Sequence, residues 1–178
     1  MGSLRHGTDD PVTTEDVSLR FDKVESHARV LTGSINPFYV SGYVDGEGCF
    51  TVSFSPRETL KVKWEVRPSF SVSQNQDRAE VLYLFVDYFG CGTIRPDRSD
   101  KTLKYEVRKI VDLVDNVIPH FLKYPLQSSK QKDFLSFAEI CKRVRQGKHL
   151  SPDGLVEIAN TAFKMNSSGK RKYKTFSV

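Results

Sequence analysis

The chain is 178 residues long, 38% apolar and 28% charged, with a net charge of +5, which suits one domain able to bury a real core. No apolar run approaches the roughly 20 residues that cross a bilayer, and the N-terminus lacks the basic, apolar and small-residue pattern of a signal peptide. A membrane protein and a secreted protein are therefore not expected, and an intracellular one is.

Residues 1–33 are polar and aperiodic and are read as an extension, with one short helix over 18–30. Residues 1–36 hold four Arg/Lys against six Asp/Glu. The remainder therefore carries the whole basic excess, which suggests a polyanionic partner. The domain proper spans 34–168. Asn36-Pro37 opens a helix, because Asn can cap exposed amides and Pro is tolerated at the first helical position. Phe38, Tyr39, Val40, Tyr43 and Val44 make that helix apolar on most sides, so it expects burial all round. Asp45-Gly46-Glu47-Gly48 stops it.

From Cys49 the hydrophobic period changes to two. Two strands are expected over 49–57 and 61–75, joined near 56–60. Phe50, Val52, Phe54, Val62, Trp64, Val66, Phe70 and Val72 form the oily face. An amphipathic helix over 77–89 ends at Gly90. A strand over 91–95, a turn at 97–100 and a strand over 103–109 follow. Helices are then expected over 113–123, 129–145 and 152–165, the last capped by Ser151. A basic tail, 169–178, closes the chain. The plan is α+β, ordered αββαββα with additional C-terminal helices and one antiparallel sheet.

The three cysteines, Cys49, Cys91 and Cys141, are odd in number and far apart. They argue against a disulfide framework or a zinc knuckle and for small core residues in a reducing compartment. The four histidines show no paired metal-ligand spacing. Gly42 and Gly46 lie at i and i+4 on one helix face, and with Ser41 they leave a surface that a second helix can approach closely. Taken alone, Asp45-Gly46-Glu47-Gly48 also reads as a simple turn.

Val40-Ser41-Gly42-Tyr43-Val44-Asp45-Gly46-Glu47-Gly48 resembles the nine-residue signature of the LAGLIDADG homing endonuclease family. The spaced glycines, the apolar pair and the acids at the sixth and eighth places match. Val-Ser at the start and Glu at the eighth place depart from it. The resemblance implies a curved antiparallel DNA-binding sheet and an intron-encoded, metal-dependent DNA endonuclease. In that family two motif helices pack about a two-fold axis and bring one acid each to the scissile phosphates.

Only one copy of the motif is present, so the resemblance implies a homodimer through the motif helix, with Ser41, Gly42, Asp45 and Gly46 at the interface. It also implies a long pseudo-palindromic double-stranded DNA target. Glu47 would be the metal ligand, assisted by the Gly46 carbonyl, with Mg²⁺ as the expected ion and Mn²⁺ as a substitute. Gln74, Arg78 and Lys130 match positions that serve catalysis beside Glu47. The plainer readings are a satisfied core amide, a solvated helix charge and a phosphate clamp. Asp45 is expected to act as a helix-end structural acid rather than a ligand.

The polar strand positions are the expected DNA contacts: Thr51, Ser53, Ser55, Arg57, Lys63, Glu65, Arg67, Ser69, Ser71, Arg95, Lys104, Glu106 and Arg108, with Lys61 on phosphate. Arg can read guanine, Glu can accept from cytosine, and Ser can serve either. A solvated sheet face would be polar too. Two other readings use the same scaffold: a maturase that binds intron RNA, and a non-catalytic DNA-binding regulator.

Overall fold

The computed structural model describes residues 35–97 and 101–166. The helix expected over 18–30, the turn residues 98–100 and the basic tail lie outside them. Helix α1, Pro37–Glu47, begins as expected, with Asn36 Oδ1 accepting from the Phe38 amide at 2.8 Å. It does not stop at Asp45 but runs through Glu47 and passes directly into strand β1, Gly48–Pro56. Strand β2 is Trp64–Asn75, and a single 3₁₀ turn, Gln76–Arg78, leads into α2, Glu80–Phe89. Strands β3, Thr93–Pro96, and β4, Thr102–Val107, follow. Among the described residues the strands form one antiparallel sheet in the order β1-β2-β4-β3.

The second strand starts at Trp64 rather than at 61. Lys63 takes a left-handed φ of 58°, and turn bonds such as Arg57 N–H to Lys63 O at 2.8 Å hold the segment before it. Lys61 and Lys63, expected on the sheet, therefore sit in the connection. Helix α3 begins at Ile110 and covers 110–123 in three pieces, Ile110–Asp112, a π-helical segment Leu113–Val117, and Ile118–Lys123. The wider turn precedes Pro119, which cannot donate a helical bond and whose ring would clash in an ordinary turn. Helices α4, Lys130–Arg145, and α5, Pro152–Phe163, complete the fold. The expected Ser151 cap is present, accepting from Gly154 N–H at 3.3 Å.

The helices cover the oily face of the sheet. Phe50 of β1 stacks on Phe70 of β2 at 5.2 Å between ring centroids, and Phe121, Phe134 and Phe137 close around Phe50. All five rings are buried, so each contributes on the order of 2–3 kcal/mol of apolar burial. This packing holds α1 against one end of the sheet and leaves the polar face uncovered.

Candidate active site and nucleic-acid face

Gly48 makes the abrupt helix-to-strand junction possible. A Cβ there would lie 2.5 Å from Val44 Cγ1 and 2.7 Å from the Val44 carbonyl oxygen. Gly42 and Gly46 differ: both are exposed, and a Cβ on either would meet no atom within 4 Å. Among the described residues nothing requires them to be glycine. Phe38 and Tyr39 on the same helix are 70% and 50% exposed. The helix expected to be buried all round thus buries only Val40, Ser41 and Val44 and leaves an apolar, small-residue side open.

Two motif residues expected at a dimer interface, Ser41 and Asp45, make their side-chain bonds within their own chain. Ser41, 5% exposed, donates to the Tyr124 carbonyl at 2.7 Å and lies 3.1 Å from His120 Nε2. Its own proton is committed, so it accepts from Nε2–H, and His120 Nδ1 accepts from the Tyr88 hydroxyl at 2.8 Å. Burial pushes the His120 imidazole down to about 4. Asp45 accepts from the Gln127 and Ser128 amides, each at 2.9 Å, and from the Ser128 hydroxyl. Burial alone would raise its carboxyl, but these bonds and nearby Lys130 hold it below the usual range. Asp45 therefore fixes the segment that launches α4.

That segment sets Lys130 beside the end of α1. Its ammonium donates to the Val44 carbonyl at 2.9 Å and reaches the Gly46 carbonyl at 3.4 Å, where the helix end carries partial negative charge. Glu47 is exposed at the same end. Gln74, at the end of β2, donates from Nε2 to the Tyr43 hydroxyl at 2.5 Å and accepts from the Asn75 amide at 2.8 Å. Burial raises the Tyr43 phenol, the bond from Gln74 opposes this, and the charges of Glu47 and Arg78 act on it with opposite sign. Glu47, Gln74 and Arg78 thus gather around Tyr43, with Lys130 behind the helix end. Arg78 is exposed and lies 3.6 Å from Asp77. Tyr43, an apolar position in the motif, brings its hydroxyl to the site, and its place four residues before Glu47 is the signal for this in the sequence.

Among the described residues no three His, Cys, Asp or Glu side chains group closely enough to hold a metal. At the end of α1 one copy offers the exposed Glu47 carboxylate and the Gly46 carbonyl. Those hard oxygen donors fit half of a divalent-cation site, the rest of which must come from elsewhere.

The uncovered sheet face carries Thr51, Ser53, Ser55, Glu65, Arg67, Ser69, Ser71, Arg95, Lys104 and Glu106, as the register requires. Arg108 lies just beyond β4 and joins them through Glu106 at 3.1 Å, and Arg57, just past β1, does so through Glu65 at 3.0 Å. The register adds Cys49, Ser73, Thr93 and Thr102, which strand parity alone could have found. Ser69 and Ser71 are only 8% and 4% exposed, hemmed in by β1 and β4.

Residues 40–141 match the model of the family described as LAGLIDADG endonuclease. The chain is 30% identical over 145 residues to a Neurospora crassa protein named probable intron-encoded endonuclease 2, covering 81% of this chain and 32% of that protein. Among solved structures it is similar to the homing endonuclease I-TnaI, with a TM-score of 0.73, 36% identity, and coverage of 77% of this chain and 92% of that one. It is also similar to the meganuclease I-SmaMI bound to uncleavable DNA, with a TM-score of 0.72, 30% identity, and coverage of 75% and 46%. The chain spans about a third or less of the first curated relatives it matches.

Proposed function

Because the chain belongs to the LAGLIDADG endonuclease family, we propose that it is a site-specific homing endonuclease. It makes a double-strand break in a long pseudo-palindromic DNA target as a homodimer paired through α1. The observation that carries this reading is the open face of α1. Among the described residues nothing lies within 4 Å of a Cβ on Gly42 or Gly46, and Phe38 and Tyr39 are exposed, on the helix that ends in the exposed Glu47 carboxylate. A second copy docked there would cover the apolar side and bring its own Glu47 alongside. Coverage of nearly all of one relative and just under half of another suits a chain that is one half of a two-fold enzyme.

In this reading Glu47 and the Gly46 carbonyl hold a Mg²⁺-class ion, which supplies charge neutralisation at the phosphate and a more acidic water. Gln74, its amide oriented by Tyr43, positions the attacking water by hydrogen bonding. Lys130 and Arg78 place positive charge where the phosphate becomes more negative. Lys130 approaches phosphate from the C-terminal end of α1, where its side chain is already steered. The polar sheet face lies in the major groove and reads base edges, while Lys61 and Lys63 in the connection meet phosphates.

The test is cleavage of a randomised duplex library with Mg²⁺ by wild type and by Glu47→Gln. Cleavage at a defined site by wild type alone is expected. If wild type cuts nothing that the variant spares, while either form promotes intron splicing, the endonuclease reading gives way to the maturase.

A further inference from the structure

The polar sheet face contains one device built twice. Glu65 accepts from Arg67, two residues on along its own strand, through Nε at 3.0 Å and Nη2 at 2.6 Å. It also accepts from Arg57, two residues past its register partner Ser55, at 3.0 Å. Glu106 accepts likewise from Arg95, two residues past its register partner Thr93, at 3.2 Å, and forms an ion pair with Arg108, two residues on, at 3.1 Å. In each case one carboxylate sits between two arginines, one on its own strand and one on the neighbour. Glu106 is also held from behind by the Ser69 hydroxyl at 2.9 Å and is only 8% exposed.

Stability does not account for this. Exposed pairs of this kind contribute little, and burying Glu106 carries a desolvation cost. Both oxygens of each acid are already engaged by an arginine or by Ser69, which leaves fewer lone pairs to accept from cytosine. What each acid does is fix the direction of two long side chains that otherwise lose rotamer entropy on binding. Arg95 and Arg108 are held by Nε, so their paired terminal nitrogens stay exposed to solvent, with side chains 45% and 63% accessible. Two adjacent N–H donors in a plane are what the O6 and N7 edge of guanine accepts.

Resting on the endonuclease reading, we propose that Glu65 and Glu106 are specificity-positioning residues that fix two arginine pairs over the major groove, Arg57 with Arg67 and Arg95 with Arg108, the second pair, with both terminal nitrogens clear of the acid, aimed at guanines. Glu106 is level with Ser71 on β2, six residues from Glu65. At about 3.3 Å per residue that is roughly 20 Å, or about six base pairs at about 3.4 Å each. Each half-site then holds two arginine-dependent blocks about six base pairs apart, of which the Glu106 block, nearer the cleavage end, is guanine-dependent.

The test is selection of binding sites from a randomised duplex library by wild type, Glu106→Gln, Arg95→Ala and Arg108→Ala, with thermal melting to confirm folding. Glu106→Gln keeps the size and the Ser69 contact, and the two arginines are exposed, so their variants report even if the first folds poorly. All three variants should lose about ten-fold in guanine preference at the same few positions. Non-specific affinity of Glu106→Gln should not fall, because an acid has left a DNA-facing surface. A wild type that selects a site while Glu106→Gln reproduces its preferences base for base overturns this inference alone. So does loss by the arginine variants at positions that Glu106→Gln leaves intact. A wild type that selects no sequence overturns the endonuclease reading and this inference with it.

Discussion

The amide of Gln74 donates to the hydroxyl of Tyr43 across 2.5 Å, joining the end of β2 to the motif helix one turn before Glu47. The bond fixes which way the Gln74 amide faces, since its oxygen is taken by the Asn75 amide. Tyr43→Phe removes only the oxygen. It should lower single-turnover cleavage about ten-fold, cost about 1 kcal/mol of stability, and leave DNA affinity within about two-fold. Equal cleavage by the two proteins would show that Gln74 needs no such orientation.

The glycines of the motif should separate in their effects. Gly48→Ala puts a methyl against Val44 and should destabilise the monomer by about 1–3 kcal/mol, read by urea unfolding. Gly42→Leu starts from a Cβ that meets no atom of the described residues within 4 Å. It should leave monomer unfolding unchanged and abolish self-association in light scattering, along with cleavage.

Asp45 acts at a distance through α4. Asp45→Ala removes three hydrogen bonds to residues 127 and 128, so a stability loss of about 2 kcal/mol is expected. Cleavage should fall as well, since Lys130 follows directly in the chain. Lys130→Gln should reproduce the loss of cleavage without the loss of stability. A variant of Asp45 that is unstable yet cleaves at the wild-type rate would break that link.

His120 makes stability pH-dependent. Its imidazole is held near 4 in the fold, below its ordinary value of 6.5. The unfolded chain therefore takes up the proton first as pH falls. The contribution is complete above pH 6.5 and is lost as pH drops toward 4, with about 2 kcal/mol gone by pH 5. Urea unfolding between pH 7.5 and 5 should show this slope, and His120→Asn should flatten it.

Periodicity was enough to read the element order, because the change from a helical to a two-residue period at Cys49 reflects a real change of packing partner. Strand parity likewise brought Thr51, Ser53, Arg67 and Lys104 to one face. What parity could not carry was register. The pairing of Glu106 with Arg95 depends on which residue of β3 lies beside which of β4. The inward turn of Ser41 and Asp45 was hidden for a related reason. Their partners lie about 80 residues away, in α3 and in the connection from it to α4, and a helix apolar on most sides does not reveal which side is left open. The left-handed Lys63 is a local response to a seven-residue connection, and the π-helical segment of α3 is a response to Pro119.

The central claim is that one Glu47 serves one strand of the target in a two-fold pair, and a mixed dimer tests it most directly. Wild type and Glu47→Gln are co-expressed with different tags, purified for both, and incubated with supercoiled plasmid carrying the selected site and Mg²⁺. The mixed dimer is expected to nick the plasmid to the open circle and stop, whereas the wild-type dimer linearises it. Linearisation by the mixed dimer at the wild-type rate, or cleavage of neither strand, would contradict the account.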